Sequence, residues 1–122
     1  MTDRQWWGED IAVETTEVDG LPVTRVTGEV DALGVDLLRE ELDDQLDRRP
    51  RMLVADLTGV TVLGSLGIGL LLDAHRRAAA DGVEFAVVAA QRAVVRPLRL
   101  TEVDRVLTVR PTLADVLAPA AG

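Results

Sequence analysis

The chain has 122 residues, enough for one domain with one core, and 48% of them are hydrophobic, which excludes a wholly disordered chain. The formal net charge is −8, which opposes non-specific contact with nucleic acid or anionic lipid, both of which need clustered positive charge. No cysteine is present, so disulfides and thiolate metal sites are excluded, and all thirteen basic residues are arginine.

Residues 1–9 contain no basic segment followed by an apolar one and read as an N-terminal tail without a signal peptide, in which Trp6 and Trp7 could pack over an open sheet edge or anchor a partner. No apolar run is long enough to span a bilayer, so no membrane partner is expected and the cytoplasm is the default location. Ile11 to Thr16 alternates in character and predicts an edge strand. Asp19-Gly20 is a turn signal, and Leu21 to Thr27 alternates again, completing a hairpin with Pro22 among its first residues. Gly28-Glu29-Val30-Asp31 ends that strand. Residues 32–48 have a helical period, with Leu33, Leu37, Leu38, Leu42 and Leu46 on one face and Asp36, Glu40, Glu41, Asp43, Asp44 and Asp47 elsewhere. Asp31 is the expected N-cap, and Arg48-Arg49-Pro50 forms a basic last turn and a stop.

Met52 to Leu57 is nearly all apolar, as a strand covered on both faces should be. A helix follows from about Ser65 to Ala80, closed by Asp81-Gly82. Val83 to Ala89 is another buried strand, and Gln91 to Leu100 a third helix, with Pro97 expected in its first turn or so. Arg105 to Val109 predicts a short strand, Pro111-Thr112 opens a last helix through Leu117, and residues 119–122 form a C-terminal tail. The expected fold is a single α/β domain over 10–118, an N-terminal β-hairpin then β-α-β-α-β-α-β-α, with a mixed sheet covered by helices. Right-handed crossovers then place Asp31, Ser65 and Gln91 on one edge of the sheet, where α/β proteins gather working residues.

Ser65 is the focus of the chain. At a helix start the first amides are unpaired and the dipole favours negative charge. As a cap alone, the serine contributes about 1 kcal/mol over alanine. As a modification site, it could take a phosphate of about −1.5 to −2 charges without loss of the fold, while a partner matched to a neutral hydroxyl would leave. A nucleophilic role fails: the single histidine, His75, lies on the same predicted helix, roughly 15 Å along the axis at ~1.5 Å per residue. The elbow G-x-S-x-G also fails, because Leu63 occupies its first glycine position. No enzyme activity, cofactor or metal is expected. The glycines form neither a P-loop nor G-x-G-x-x-G; Gly59 and Gly64 are expected to turn tightly, Gly67 and Gly69 to pack closely. Asp31 reads as a cap before a ligand, and Asp56 as a tie for the loop that leads to Ser65.

Gly28-Glu29-Val30-Asp31 resembles the G-E-[LV]-D turn of STAS domains. Asp56 through Gly69 resembles their segment D-[LF]-[ST]-x-[VL]-x-[FV]-[LM]-D-S-[ST]-G-[LI]-G. Leu98 through Leu107 resembles L-x-L-T-G-L-D-x-[VI]-[FL], and Thr112 to Leu117 the closing helix. Stand-alone domains of this kind resemble bacterial anti-sigma factor antagonists (anti-anti-sigma factors). The resemblance implies that the unphosphorylated domain binds an anti-sigma factor, itself a serine kinase of the histidine-kinase-like ATPase fold, and frees the sigma factor for transcription. It implies phosphorylation at Ser65 to end the complex, a phosphatase to reset it, and contact with the partner through Asp31, Gly64, Ser65, Leu66, Gly67 and Ile68, from a monomer or weak dimer. Three positions depart from the pattern: Gly64 replaces an aspartate, Leu66 a serine or threonine, and Glu102 a glycine. The alternative implied by the same resemblance is a constitutive interaction subunit of a lipid-transport or stress-signalling complex, not phosphorylated.

Overall fold

The computed structural model describes the backbone of residues 4–7 and the whole of residues 10–118. Its elements are β1 (Arg4–Trp7), β2 (Ile11–Val18), β3 (Leu21–Val30), α1 (Val35–Asp47), β4 (Met52–Leu63), α2 (Ser65–Ala80), β5 (Glu84–Val88), α3 (Arg92–Leu100), a 3-10 turn at Val103–Arg105, β6 (Thr108–Arg110) and α4 (Leu113–Leu117). The strands lie in chain order in one sheet, antiparallel from β1 to β3 and parallel from β3 to β6. The hairpin turn is Asp19-Gly20, both at positive φ, as a two-residue loop matched to strand twist requires. The segment read as an N-terminal tail contributes β1, an added edge strand; the tail at 119–122 lies outside the described residues.

Because β3 to β6 advance one position at a time, right-handed crossovers put α1, α2 and α3 on the same face. Leu38, Leu42 and Leu46 of α1, Leu70, Leu71, Ala74 and Ala78 of α2, and Val94 and Leu98 of α3 form one core with Leu53, Ala55, Phe85 and Val87 of the strands. The alternate strand residues Val23, Val54 and Val88 face the other way and are covered by Leu113 and Val116 of the short α4. Thr112 caps α4, its hydroxyl accepting the Asp115 N–H at 3.1 Å. α2 ends where the sequence predicts: Gly82 at φ +73 closes a reciprocal cap, with Val83 N–H bonding Ala78 C=O and Gly82 N–H bonding Ala79 C=O.

Several local expectations are corrected. Glu41, which the helical period places off the leucine face of α1, is buried, with Gln45, against β2 and β3. Its Oε2 accepts the Thr15 hydroxyl at 2.6 Å and the Gln45 amide at 3.1 Å, and Thr24 lies 2.8 Å from Thr15. Leu33 is 81% exposed, because α1 starts at Val35 and not at residue 32, which leaves Leu33 outside the helix. Pro97 sits mid-helix in α3, past the first turn, with Val94 and Leu98 buried on either side. Gly59 is not a turn but lies within β4, where a Cβ would meet Thr27 Cγ2 at 2.6 Å. Gly69 is not a packing contact; a Cβ there meets nothing within 4 Å. Glu102, at the position where the resembled pattern has glycine, holds φ +62. On the outer surface, Arg77 of α2 bonds Asp47 and also pairs with Asp43 (3.3 Å) and Asp81 (3.8 Å), tying α1 to α2. The Asp47 hydrogen bond is the main cause that raises the Arg77 guanidinium above its ordinary value.

Candidate functional site

The site is built where β3 and β4 end. β4 does not stop at Leu57 but continues to Leu63 beside β3, in register Gly59 with Thr27 and Leu63 with Val30. Two irregularities in that pairing, between Arg25 and Thr27 and between Gly28 and Glu29, let the strand continue past the position of Asp56. Asp56 therefore lies within the strand and is buried. Its Oδ1 accepts the Thr58 N–H at 3.0 Å and the Thr58 hydroxyl at 2.7 Å, and its Oδ2 faces Arg25 Nε at 3.5 Å. It fixes the irregular part of β4 rather than a loop. Gly28 holds the other side: at φ +96, its Cα faces Asp10 O so closely that a Cβ would stand 2.1 Å from that oxygen.

Gly64 is pinned to the end of β3 by its N–H to Val30 C=O at 3.0 Å and is extended, at ψ 177. It, not Ser65, is the N-cap of α2; Ser65 is the first helical residue. The first intrahelical bond runs from Ile68 N–H to Gly64 C=O at 3.0 Å, so the amides of Ser65, Leu66 and Gly67 mark the positive end of the helix. Gly64 has no side chain to cap them, and the first turn holds no acidic residue. Ser65 and Leu66 are exposed.

Asp31 is not the cap of α1. The chain makes one more turn before Gly34, the actual N-cap, and the Asp31 carbonyl, not its carboxylate, accepts the amides of Gly34 (2.8 Å) and Val35 (2.9 Å). The freed carboxylate lies on Gly64: a Cβ built there would be 2.3 Å from its Cγ and Oδ1. Gly64 is therefore the residue that lets the Asp31 carboxylate settle beside the start of α2. Position 64, where the resembled pattern has an aspartate, carries no side chain here, and the carboxylate against it is that of Asp31.

Ser65 and Asp31 thus share one rim, as the topology predicts. Gln91, after β5, stands on it too, its carboxamide bonded to the β4 main chain. Among the candidate contact residues, Leu66 is 51% exposed and Ile68 is half-buried against the core. Gly67 is buried and offers no surface. It lets α2 approach β3, since a Cβ would stand 2.8 Å from Val30 O. Two residues that the sequence did not point to join the site, Leu33 from the β3–α1 turn and Val62 at the end of β4, both exposed apolar side chains. The signal for Val62 is present in the alternation of Thr61, Val62 and Leu63, but it needs the longer β4 to be read. The exposed hydroxyl of Ser65 therefore stands on a rim that carries apolar side chains at Leu33, Val62 and Leu66 and carboxylates at Glu29 and Asp31, the latter against Gly64.

His75 does not reach this rim. It lines a cleft with Met52, Val83 and Phe85 at the opposite end of the strands. Among the described residues no group of three His, Asp or Glu could hold a metal ion, and no helix is long and apolar enough to cross a membrane.

Comparison with known proteins gives a consistent picture. The STAS domain family matches residues 12–116. The anti-sigma-F factor antagonist RsfB of Mycobacterium tuberculosis is 31% identical over 114 residues, 93% of each chain. The crystal structure of an anti-sigma factor antagonist from Mycobacterium paratuberculosis superimposes with a TM-score of 0.83 at 33% identity, covering 88% of this chain and 91% of that one. The anti-sigma factor antagonist SpoIIAA in its unphosphorylated form shares the fold, with a TM-score of 0.70 at 16% identity over 86% of this chain and 92% of that one.

Proposed function

The chain belongs to the STAS domain family, and from that premise we propose that it is an anti-sigma factor antagonist acting in the cytoplasm. It binds an anti-sigma factor through the rim that carries Asp31, Leu33, Val62, Ser65 and Leu66, and so releases a sigma factor for transcription. The supporting observation is the placement of Ser65: an exposed hydroxyl at the first turn of α2, on the Asp31 side of the sheet and among exposed apolar side chains. Burial of Leu33, Val62 and Leu66 supplies hydrophobic area, and a neutral hydroxyl at the centre costs little to desolvate if the partner offers it a hydrogen bond.

The anti-sigma factor is also the kinase, and Ser65 is the residue it modifies. A phosphate there brings about −1.5 to −2 charges. The free amides of α2 stabilise that charge, so the domain keeps its shape. The Asp31 carboxylate beside Gly64 is a like charge, so the phosphate makes an already acidic rim strongly negative. An interface matched to the unmodified rim is then lost, because unmatched buried charge is expensive. A phosphatase restores the hydroxyl.

Titration calorimetry with the cognate anti-sigma factor tests this. Ser65→Ala should bind within a few-fold of the unmodified protein, and Ser65→Glu should bind at least tenfold more weakly. Incubation with kinase and ATP should add one phosphate, mapped to Ser65 by mass spectrometry. Equal binding of Ser65→Ala and Ser65→Glu, or phosphate at Thr58 or Thr61 instead, removes Ser65 from the mechanism. Capture of a transport ATPase or a signalling scaffold in place of a kinase favours the constitutive-subunit reading.

A further inference from the structure

The strand that delivers Ser65 outruns its neighbour. β4 pairs with β5 only from Met52 to Asp56, opposite Glu84 to Val88. From Leu57 to Leu63 it has β3 on one side and, among the described residues, no strand on the other. Such an edge would leave main-chain carbonyls without partners, and a strand held from one side frays. Gln91 stands in for the missing strand. Its Nε2 donates to Leu57 C=O at 2.7 Å and to Val60 C=O at 2.9 Å, and its Oε1 accepts the Ala90 N–H at 3.2 Å. Both amide hydrogens are used, on carbonyls that flank the irregular part of β4. The main chain of the same residue starts α3, its C=O accepting Val94 N–H at 3.1 Å and Val95 N–H at 3.0 Å.

We infer that Gln91 is a positioning residue for the Ser65 site: its carboxamide locks the free edge of β4 to the start of α3 and so fixes where α2 begins. Among the described residues, the chain from Val60 to Gly64 is otherwise held by β3, through the strand pairing and Gly64 N–H to Val30 C=O, and by the burial of Val60 and Leu63 in the core, and Gln91 holds its open edge. Removing the amide leaves the Leu57 and Val60 carbonyls without that donor and loosens the open edge of the extension that leads to Ser65 and Leu66. Glutamate, which matches glutamine in size, cannot donate there and sets a carboxylate against two carbonyl oxygens.

The inference rests on the proposed function only for its binding readout, so the test has two arms. Residue-resolved amide exchange by NMR is measured on the isolated protein for Gln91→Glu and Gln91→Leu, with Gln91→Asn, one methylene shorter, as the milder variant. Amides from Val60 to Gly64 should exchange about tenfold faster or more, in line with loss of two hydrogen bonds, while those of Leu53 to Ala55 and Phe85 to Val87 keep their protection. Affinity for the anti-sigma factor should fall several-fold, with Gln91→Asn intermediate. Unchanged exchange from Val60 to Gly64 overturns the inference, and so does a uniform acceleration over the whole sheet, which would make Gln91 a residue of general stability. If the unmodified protein binds no kinase-type anti-sigma factor, the functional reading fails, and the exchange arm still decides the role of Gln91.

Discussion

Gly67 and Gly69 stand two residues apart on α2, yet alanine should act in opposite directions at the two positions. In a helix, Gly→Ala gains roughly 0.5–1 kcal/mol through reduced backbone freedom of the unfolded chain. At Gly69 nothing lies within 4 Å of the added methyl, so the whole gain should appear. At Gly67 the methyl would stand 2.7 Å from Leu63 Cδ1, 2.9 Å from Val30 Cγ1 and 2.8 Å from Val30 O. Leu63 can turn aside, but the carbonyl belongs to β3, so α2 itself must retreat by about 0.6 Å to reach an ordinary contact. Overpacking of this kind costs typically about 1–3 kcal/mol, so the net change, after the helix gain is subtracted, centres on a loss of about 1 kcal/mol. Thermal and urea unfolding should show Gly67→Ala lower in Tm by about 3–8 °C and Gly69→Ala higher by about 2–5 °C. Because Ser65 starts the helix that is displaced, Gly67→Ala should also weaken partner binding, whereas Gly69→Ala should not. A Gly67→Ala protein as stable as the parent, or a destabilised Gly69→Ala, would refute the close approach of α2 to β3.

Two further changes test the packing beneath the site. Glu41→Ala removes the acceptor for Thr15 and Gln45 inside the domain and should cost about 2–4 kcal/mol in urea unfolding, far more than an exposed helical glutamate would. Glu102→Gly should raise stability by up to about 1 kcal/mol, measured as an upward shift of the urea midpoint, because Glu102 holds a left-handed φ of +62 that glycine adopts without strain.

The rim shows how a surface can be assembled from residues that no local pattern groups together. Ser65 is legible in the sequence because a strand, a glycine and a serine before an apolar helical run are local signals. Leu33 is not, because its helical spacing from Leu37 makes it look like a core residue, and only the later start of α1 turns it outward. Topology alone places Asp31 on the right rim, but its position before a helical run suggests a side-chain cap. In the folded chain its carbonyl makes the capping turn, and its carboxylate crosses to Gly64. Gln91 too is placed on the rim by topology, while the work of its amide depends on β5 ending seven residues short of β4 by register, from Asp56 to Leu63.

Hydrophobic period, turn residues and the order of strand and helix were enough to determine the α/β class, the hairpin, the four helices and the edge on which Ser65 stands. These are properties of neighbours along the chain, where 3.6- and 2-residue periods and the hand of the crossover leave few alternatives. The burial of Glu41, the seat of the Asp31 carboxylate, the length of β4 and the grip of Gln91 were decided by the tertiary structure alone. Each depends on which atoms meet across roughly thirty residues of sequence. A carboxylate or amide has the same local preferences whether it faces water or a partner, and only the packed chain supplies the partner.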